Sequence, residues 1–190
     1  MSAESDELLD AVLIGGREER AIVIVDYDDD WPSRYEALAE VIVEAVGNGV
    51  VLLEHIGSTA VPGLAAKPII DILLTVKDIE GEYTYLGMLE KAGLVLRVRE
   101  SGHRMLRTPA KDVHLHVFSD GDPAIANYLD LRDWLRLDQE DRALYATTKK
   151  SLAQQRWTDM NYYADAKTEV ITEILARARQ WRQGTKVARN

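Results

Sequence analysis

The chain has 190 residues, a length that suits one domain with a buried core. Apolar residues make up 46% and charged residues 29% of it, ordinary globular values that exclude fibrous, collagen-like and wholly disordered chains. The formal net charge is -9. The chain has no cysteine, and this excludes a disulfide framework, a thiol nucleophile and a cysteine-ligated zinc site.

The first predicted elements follow a charged leader, residues 1–19, which is acidic and lacks the apolar segment of a secretory signal. A β-branched run at 21–25 predicts a short buried strand. Ser33, with Glu36 three residues later, predicts the amino-terminal cap of a helix that ends at residues 47–49.

Strand patterns dominate the middle of the chain, where apolar runs are separated by glycine and proline. The predicted strands are 50–56, 69–76, 94–100, 103–108 and 112–118. A hairpin is expected at Gly102, and weak periodicity at 79–93 predicts a helix.

From Pro123 onward, apolar residues recur at helical spacing, which predicts helices at 127–137, 139–155 and 161–183. Strands followed by helices indicate an α+β, α/β-like class, with a mixed β-sheet flanked by helices and a helical C-terminal third. We expect a single domain over residues 20–183 and a basic tail at 184–190.

Charge is distributed unevenly along this chain. Residues 142–190 have ten Lys and Arg against four Asp and Glu, a net of +6, whereas residues 1–141 carry -15. An acidic chain is a poor general binder of nucleic acid, because phosphate backbones attract clustered positive charge. The basic third can complement a small anionic ligand, although a solvated helix face with a basic tail explains the same composition.

The sequence also gives expectations about location and partners. No apolar run approaches the roughly 18 residues needed to cross a bilayer. We therefore expect a soluble, cytoplasmic protein that binds neither membranes nor nucleic acid in general. Its expected partner is a small nucleotide or CoA-type molecule, and its oligomeric state is not encoded in any pattern that we detect.

The stretch 54–75, EHIGSTAVPGLAAKPIIDILLT, holds the most informative chemistry. Gly57 lets the backbone approach a ligand closely, while Ser58 and Thr59 offer hydroxyls and N–H groups to phosphate oxygens. Lys67 can approach the same phosphates. Asp71 lies within a strongly apolar strand, where a carboxylate needs a partner or an ion, and it is a candidate ligand for Mg²⁺.

The string HIGSTAVPGLAAKPIIDI resembles the signature of the GrpB-like (UPF0157) family, within the nucleotidyltransferase-fold superfamily. The similarity extends over residues 20–180 and includes VDYDDDWP, HLHVF, LRDWLR and YYADAK. The resemblance implies a nucleotidyltransferase-like fold with a Gly-Ser turn, matched by Gly57 and Ser58. It also implies an acidic-x-acidic pair on the next strand, of which Asp71 suits the first member.

Two positions depart from the superfamily pattern. The second acidic position is Leu73, and the strand expected to bear a third carboxylate has His114 and His116 instead. Both histidines share one face of a strand. With Asp71 they form a candidate catalytic and metal-binding set for Mn²⁺, Fe²⁺ or Zn²⁺ rather than Mg²⁺. A general base, a phosphate contact and a purely structural role are alternatives for either histidine.

Several cations complete the predicted phosphate- and nucleotide-binding set. Arg132 lies one helical turn from Arg136, as Tyr163 does from Lys167, so each pair shares a helix face. Surface pairing with nearby acids is the alternative for these residues. The full binding set is Gly57, Ser58, Thr59, Lys67, Arg104, Arg132, Lys149, Tyr163 and Lys167.

Three functions fit this sequence. The first is transfer of a nucleotidyl group from a nucleoside triphosphate to an unknown acceptor with a divalent metal ion, Mg²⁺, Mn²⁺ or Zn²⁺. The second is a non-catalytic nucleotide- or CoA-binding accessory module, since the resemblance includes GrpB-like domains fused to dephospho-CoA kinase. The third is a metal-dependent phosphohydrolase that uses Asp71, His114 and His116.

Overall fold

A five-stranded sheet in the order β1–β2–β5–β4–β3 forms the centre of the computed structural model, which describes residues 3–19 and 21–187. The strands are β1 Leu52–Ile56, β2 Ile70–Val76, β3 Val95–Glu100, β4 His103–Arg107 and β5 Val113–Ser119. β2 and β5 run parallel and the other neighbouring pairs antiparallel, which confirms the predicted mixed sheet and α+β class.

Helices cover both faces of this sheet. Those in the described part of the chain are α1 Ala3–Val12, α2 Trp31–Val46, α3 Leu86–Lys91, α4 Pro123–Leu137, α5 Gln139–Ala153, α6 Met160–Asp165 and α7 Thr168–Val187. Side chains of α2 and α3 pack on one face, and α4 packs on the other. Helices α5 and α7 pack in turn on α4, so the helical C-terminal third is confirmed.

Alternation along β2 divides its side chains between the two faces of the sheet. Ile72 and Leu74 are fully buried in the larger core beneath α2 and α3. Asp71 and Leu73 point the other way, where Leu73 packs with Phe118 under α4. The face that carries Asp71 is therefore also the face that the C-terminal helices cover.

The segment after α1 ties the edge of the sheet to α6. Leu13 pairs with Val98 in an isolated antiparallel bridge. The Glu18 amide donates to Asp159 Oδ2 at 2.7 Å, directly before α6. The Glu18 carboxylate accepts hydrogen bonds from Arg107 and Lys111, each at 2.7 Å. We call residues 13–19 the N-terminal strap.

Two predicted elements near the amino terminus are wrong. Residues 21–25 do not form a buried strand: Val25 makes one bridge with Ala66, and Val23 is 58% exposed. The helix α2 does not begin at Ser33 but at Trp31, which is fully buried, with Pro32 in the first turn. Because the Trp31 indole is buried, the helix begins before the position that the capping pattern predicted.

The predicted helix at 79–93 is reduced to the six residues of α3. Asp78 and Gly81 hold the preceding residues in turns, and Glu82–Thr84 form a single 3-10 turn. Tyr85 is buried and its hydroxyl donates to the Ile79 carbonyl at 2.7 Å, which fixes the approach to α3.

The single helix predicted at 161–183 is wrong, because the structure divides it into α6 and α7 with a turn at residues 166–167. The other predicted strands and helices agree with the structure to within a few residues at their ends. Gly102 lies in the turn between β3 and β4 with φ of 73°, as the predicted hairpin requires. Helix α7 continues to Val187, past the expected start of the tail at residue 184, while 1–2, 20 and 188–190 lie outside the described residues. Within the described part of the chain, no helix has the length and apolar character of a membrane span.

Candidate functional site

A cavity of about 340 Å³ lies between the Asp71 face of the sheet and helices α4 to α7. Its volume falls within the usual range for small-molecule sites. The cavity brings together eleven of the twelve side chains and turn residues that the sequence singled out. They are Gly57, Ser58, Thr59, Lys67, Asp71, His114, His116, Arg132, Lys149, Tyr163 and Lys167.

The Gly-Ser turn forms one wall of the cavity. Gly57 follows β1 with φ of 70°, and Ser58 begins a short 3-10 turn. Thr59 is buried; its hydroxyl donates to the Ile69 carbonyl and lies 3.0 Å from His55 Nε2. Since that hydroxyl proton is used, His55 donates to Thr59, and the pair fixes the turn against the start of β2.

Asp71, His114 and His116 converge at the floor of the cavity. The parallel register pairs Asp71 with His114, so these three side chains emerge from one face of β2 and β5. Asp71 Oδ1 lies 3.4 Å from His114 Nδ1 and 3.9 Å from His116 Nε2. One ligand atom from each residue lies within 4.8 Å of the others, a spacing compatible with a shared metal ion.

The electrostatics of the floor favour an ionised Asp71. Burial alone would raise the pKa of this carboxyl, but the neighbouring His114 and His116 outweigh it and hold the pKa well below its usual range. The floor therefore presents a carboxylate rather than a carboxylic acid, which is the form that coordinates a cation.

A further histidine lies behind the floor. His103 Nε2 is 3.1 Å from His116 Nδ1, and His103 Nδ1 is 2.6 Å from Glu100 Oε1. Burial lowers the pKa of His103, with the charge of His116 acting in the same direction. His103 was not predicted as a site residue; the register of β4 and β5, which places it diagonally from His116 on one face, was the missing signal.

Three lysines also line the cavity. Lys149 is 2% exposed and donates from Nζ to Ser58 Oγ at 2.8 Å and to the Ala65 carbonyl at 2.6 Å. Burial, with the charge of Lys167 adding to it, lowers the pKa of Lys149 to about 7. The ammonium groups of Lys67 and Lys167 lie 5.1 Å and 4.7 Å from the centre of the Tyr163 ring.

Tyr163 is fully buried, and its hydroxyl has no hydrogen-bond partner among the described residues. A buried hydroxyl without a partner is costly, so an unpaired one in a cavity is a point at which a ligand can bind. Lys167 is half-buried beside Tyr163, and desolvation there lowers the pKa of its amine. The cavity thus combines excess positive charge with an unused hydroxyl.

Two predicted arginines differ from the lysines. Arg132 borders the cavity, but its guanidinium donates to Glu54 at 2.7 Å, Asp133 at 2.8 Å and the His55 carbonyl at 3.0 Å. These contacts hold α4 against β1. The structure does not bring Arg104 to the cavity: alternation along β4 turns it to the other face, where Glu80 and Glu82 bind it at 2.7 and 2.6 Å.

Leu73 fills the predicted second acidic position with a fully buried apolar side chain, so the floor has one carboxylate. Several residues of the cavity walls were not predicted as site residues. Tyr145 lies beneath the Lys149 ammonium, 4.7 Å from ring centre to Nζ. Tyr128, Met160 and Asn161 also contribute to the walls, and their helical positions carried no signal that distinguished them from ordinary core or surface residues.

Comparisons with known proteins agree with this architecture. The family model described as "GrpB protein" matches residues 21–177. A UPF0157 protein of Streptomyces coelicolor is 52% identical over 166 residues, covering 87% of this chain and 89% of that protein. A dephospho-CoA kinase of Mycolicibacterium paratuberculosis is 27% identical and aligns with 85% of this chain but 47% of its own length.

Solved structures show the same fold. A crystal structure of the conserved protein GrpB from Enterococcus faecalis has a TM-score of 0.74 and 32% identity, covering 84% of this chain and 99% of that one. The Cid1 poly(U) polymerase, in a structure with bound Mg and 3'-dATP, has a TM-score of 0.51 and 15% identity over 69% of this chain and 43% of its own. At that identity the likeness concerns the fold, which is nucleotidyltransferase-like.

Proposed function

This chain belongs to the GrpB family, and from that premise we propose that it is a nucleotidyltransferase whose cavity binds a nucleoside triphosphate with a divalent metal ion. One observation carries the proposal: the Ser58 turn with Lys149, and the cluster of Asp71 with its two histidines, face the same cavity. A triphosphate needs both features, because its negative charge must be bound and neutralised before a phosphorus atom is attacked.

Phosphate binding is assigned to Ser58 of the Gly-Ser turn and to the cavity lysines. The Ser58 hydroxyl and the Lys149 ammonium already contact one another, at 2.8 Å, and both can turn toward a phosphate oxygen. Lys67 and Lys167 flank Tyr163 and add positive charge. Burial strengthens each of these contacts, since the effective dielectric inside the cavity is lower than that of water.

Metal binding is assigned to Asp71, His114 and His116. Two imidazole nitrogens and one carboxylate suit Mn²⁺, Fe²⁺ or Zn²⁺, whereas Mg²⁺ prefers oxygen ligands alone. The donor set and its spacing therefore fit a transition-metal ion. Such an ion, when bound, neutralises phosphate charge and makes the phosphorus more open to attack. Ionised Asp71 supplies the negative charge that holds it.

The proposed reaction forms one bond and breaks one. The hydroxyl oxygen of the acceptor bonds to the α-phosphorus, the bond from that phosphorus to the bridging oxygen breaks, and pyrophosphate leaves with the electron pair. The acceptor's proton passes to water in the cavity. Lys149 and Lys167 stabilise the charge that develops on the departing pyrophosphate, while Ser58 orients it.

Equilibrium binding tests the proposal directly. The full chain is titrated with a nonhydrolysable nucleoside triphosphate analogue, with and without Mn²⁺, by isothermal titration calorimetry. We expect Mn²⁺-dependent binding by the native protein and its loss in Asp71→Asn. The matched control is Asp120→Asn, which alters an exposed carboxylate after β5. Equal affinities in the two variants, or no binding by the native chain, would contradict the proposal.

Leu73 supports a second candidate, a nucleotide- or CoA-binding module without turnover. The side chain occupies the second acidic position and is fully buried, which leaves one carboxylate where a two-metal mechanism needs more. The relation to part of a dephospho-CoA kinase favours the same interpretation. A triphosphate labelled at its α-phosphate separates the two: label moves to an acceptor in the first case and stays in the nucleotide in the second.

A further inference from the structure

Glu100, His103 and His116 form a chain of side chains that leads from the surface to the floor of the cavity. Glu100 is partly exposed at the end of β3, whereas both histidines are largely covered. The contacts are 2.6 Å from Glu100 Oε1 to His103 Nδ1 and 3.1 Å from His103 Nε2 to His116 Nδ1. The remaining nitrogen of His116, Nε2, faces Asp71 Oδ1 at 3.9 Å.

The direction of the hydrogen bonds in this chain follows from its outer end. An ionised carboxylate only accepts, so His103 must donate from Nδ1 to Glu100. Neutral His103 then has its lone pair on Nε2, which accepts from His116 Nδ1–H. That leaves the lone pair of His116 on Nε2, the atom that faces Asp71. The network thus selects the one neutral tautomer of His116 that can bind a metal beside Asp71.

Packing fixes the rings in the orientation that these bonds need. The ring of His103 lies within 9° of parallel to that of His116 and within 16° of parallel to that of Phe118. Tyr128 contacts His116 from α4, with ring centres 5.7 Å apart. Neither imidazole can rotate without disturbing an aromatic neighbour, so the network is held by shape as well as by hydrogen bonds.

We propose that Glu100 and His103 are positioning residues that hold His116 as a nitrogen ligand and thereby make the site selective for Zn²⁺ or Mn²⁺ over Mg²⁺. This inference rests on the metal site of the proposed function and adds two residues that do not touch the ion. Outer hydrogen-bond partners of ligating histidines orient the ring, and their loss typically lowers metal affinity about 10- to 100-fold.

The first test measures metal binding by the full chain with Zn²⁺, Mn²⁺ and Mg²⁺ separately. Glu100→Leu removes the acceptor, and His103→Phe keeps an aromatic ring but removes both nitrogens. We expect each to weaken Zn²⁺ and Mn²⁺ binding about 10-fold or more and to leave any Mg²⁺ binding little changed. Glu90→Leu, at an exposed position of α3, makes the same change of charge and should bind like the native protein.

The second test reads the tautomer without any metal. Long-range ¹H–¹⁵N spectra at about pH 8, where imidazoles are neutral, should show His116 protonated on Nδ1 in the native protein. In Glu100→Leu we expect that preference to be lost. A native protein with His116 protonated on Nε2 overturns the positioning role even if metal binds. Failure of the native protein to bind Zn²⁺ or Mn²⁺ overturns the metal site itself, and the positioning role with it.

Discussion

Gly57 lies directly against Asp71: a Cβ atom on Gly57 would overlap Asp71 Oδ2 and lie 3.0 Å from the Asp71 Cβ. The sequence had predicted that Gly57 lets the backbone approach a ligand. In the structure Gly57 instead lies close to the carboxylate of Asp71, a residue of the proposed metal site. The turn and the floor of the cavity are therefore one unit, and a change in the first displaces the second.

Substitution of Gly57 by Ala should consequently damage metal binding and stability together. The glycine has φ of 70°, so Ala adds backbone strain of about 1 kcal/mol or more as well as the overlap with Asp71. Gly63→Ala is the matched control, because Gly63 has φ of 76° and a Cβ added there would meet no atom within 4 Å. We expect Zn²⁺ to raise the melting temperature of Gly63→Ala but not of Gly57→Ala. Equal shifts would contradict the prediction.

The affinity for a triphosphate should fall as the pH rises above about 7, through Lys149. The pKa of this buried amine is about 7, and a bound anion raises it. Protonation is then favoured in the complex, so affinity is constant below the pKa of the free protein and decreases above it, by up to about tenfold per pH unit. Calorimetry with a nonhydrolysable triphosphate between about pH 7.5 and 9 measures the slope.

Two lysine variants check the origin of that slope. Lys149→Met should bind more weakly and show a nearly flat profile. Lys150→Met alters the neighbouring amine, whose side chain is 55% exposed, and should keep the native profile. If the slope survives in Lys149→Met, another group is responsible for it.

Reversal of charge at Lys167 should weaken triphosphate binding by more than tenfold, about 1.4 kcal/mol or more. The side chain is half-buried beside Tyr163, and a carboxylate there would add to the negative charge of Asp71. Because partly buried charges are screened less than exposed ones, most of the loss should persist at high salt. Lys91→Glu, at the exposed end of α3, is the control. Similar losses in both variants would mean that only the net charge matters.

Glu18 should stabilise the protein in a defined range of pH. Hydrogen bonds from Arg107 and Lys111 lower the pKa of Glu18 from 4.5 to about 2. When folding lowers the pKa of a carboxyl, its ionised form stabilises the folded protein at pH values above the unfolded-state pKa. That stability is lost as the pH falls through the folded-state pKa. Glu18→Gln should therefore cost about 1 kcal/mol in urea unfolding near pH 7 and progressively less as the pH falls to about 2 and below.

The neighbouring Glu19→Gln provides the control for that measurement. Its carboxylate is 70% exposed and lies 3.9 Å from Arg156, so we expect almost no effect at any pH. If Glu18→Gln and Glu19→Gln behave alike, the strap contributes no specific ion pair to stability.

The central sheet could be predicted because its strands have strong local signals. The run around Ile72 is apolar on both sides of Asp71, and Gly102 marks a hairpin. Failures occurred where distant packing decides the outcome. The run at 21–25 has the composition of a strand, yet its one sheet-like contact is with Ala66, and no sequence pattern indicates that the run stays outside the sheet.

The candidate site shows the same limit. His114 and His116 could be placed on one strand face from the alternation of side chains, and the parallel register of β2 and β5 brings Asp71 beside them. Arg104 could not be excluded, because its face depends on the register of β4 against β5. His103 gained its position from that register too, which no local pattern encodes.

The N-terminal strap has a consequence for how the cavity assembles during folding. Helix α6 has six residues, too few to be stable alone, yet it supplies Tyr163 to the cavity. The hydrogen bond from the Glu18 amide to Asp159, directly before α6, joins positions 141 residues apart. The chain must therefore close a loop that spans most of its length before this contact can form. Such closure carries an entropic cost that nearby contacts do not. We therefore expect the sheet with Asp71 to form before the wall that α6 contributes to the cavity.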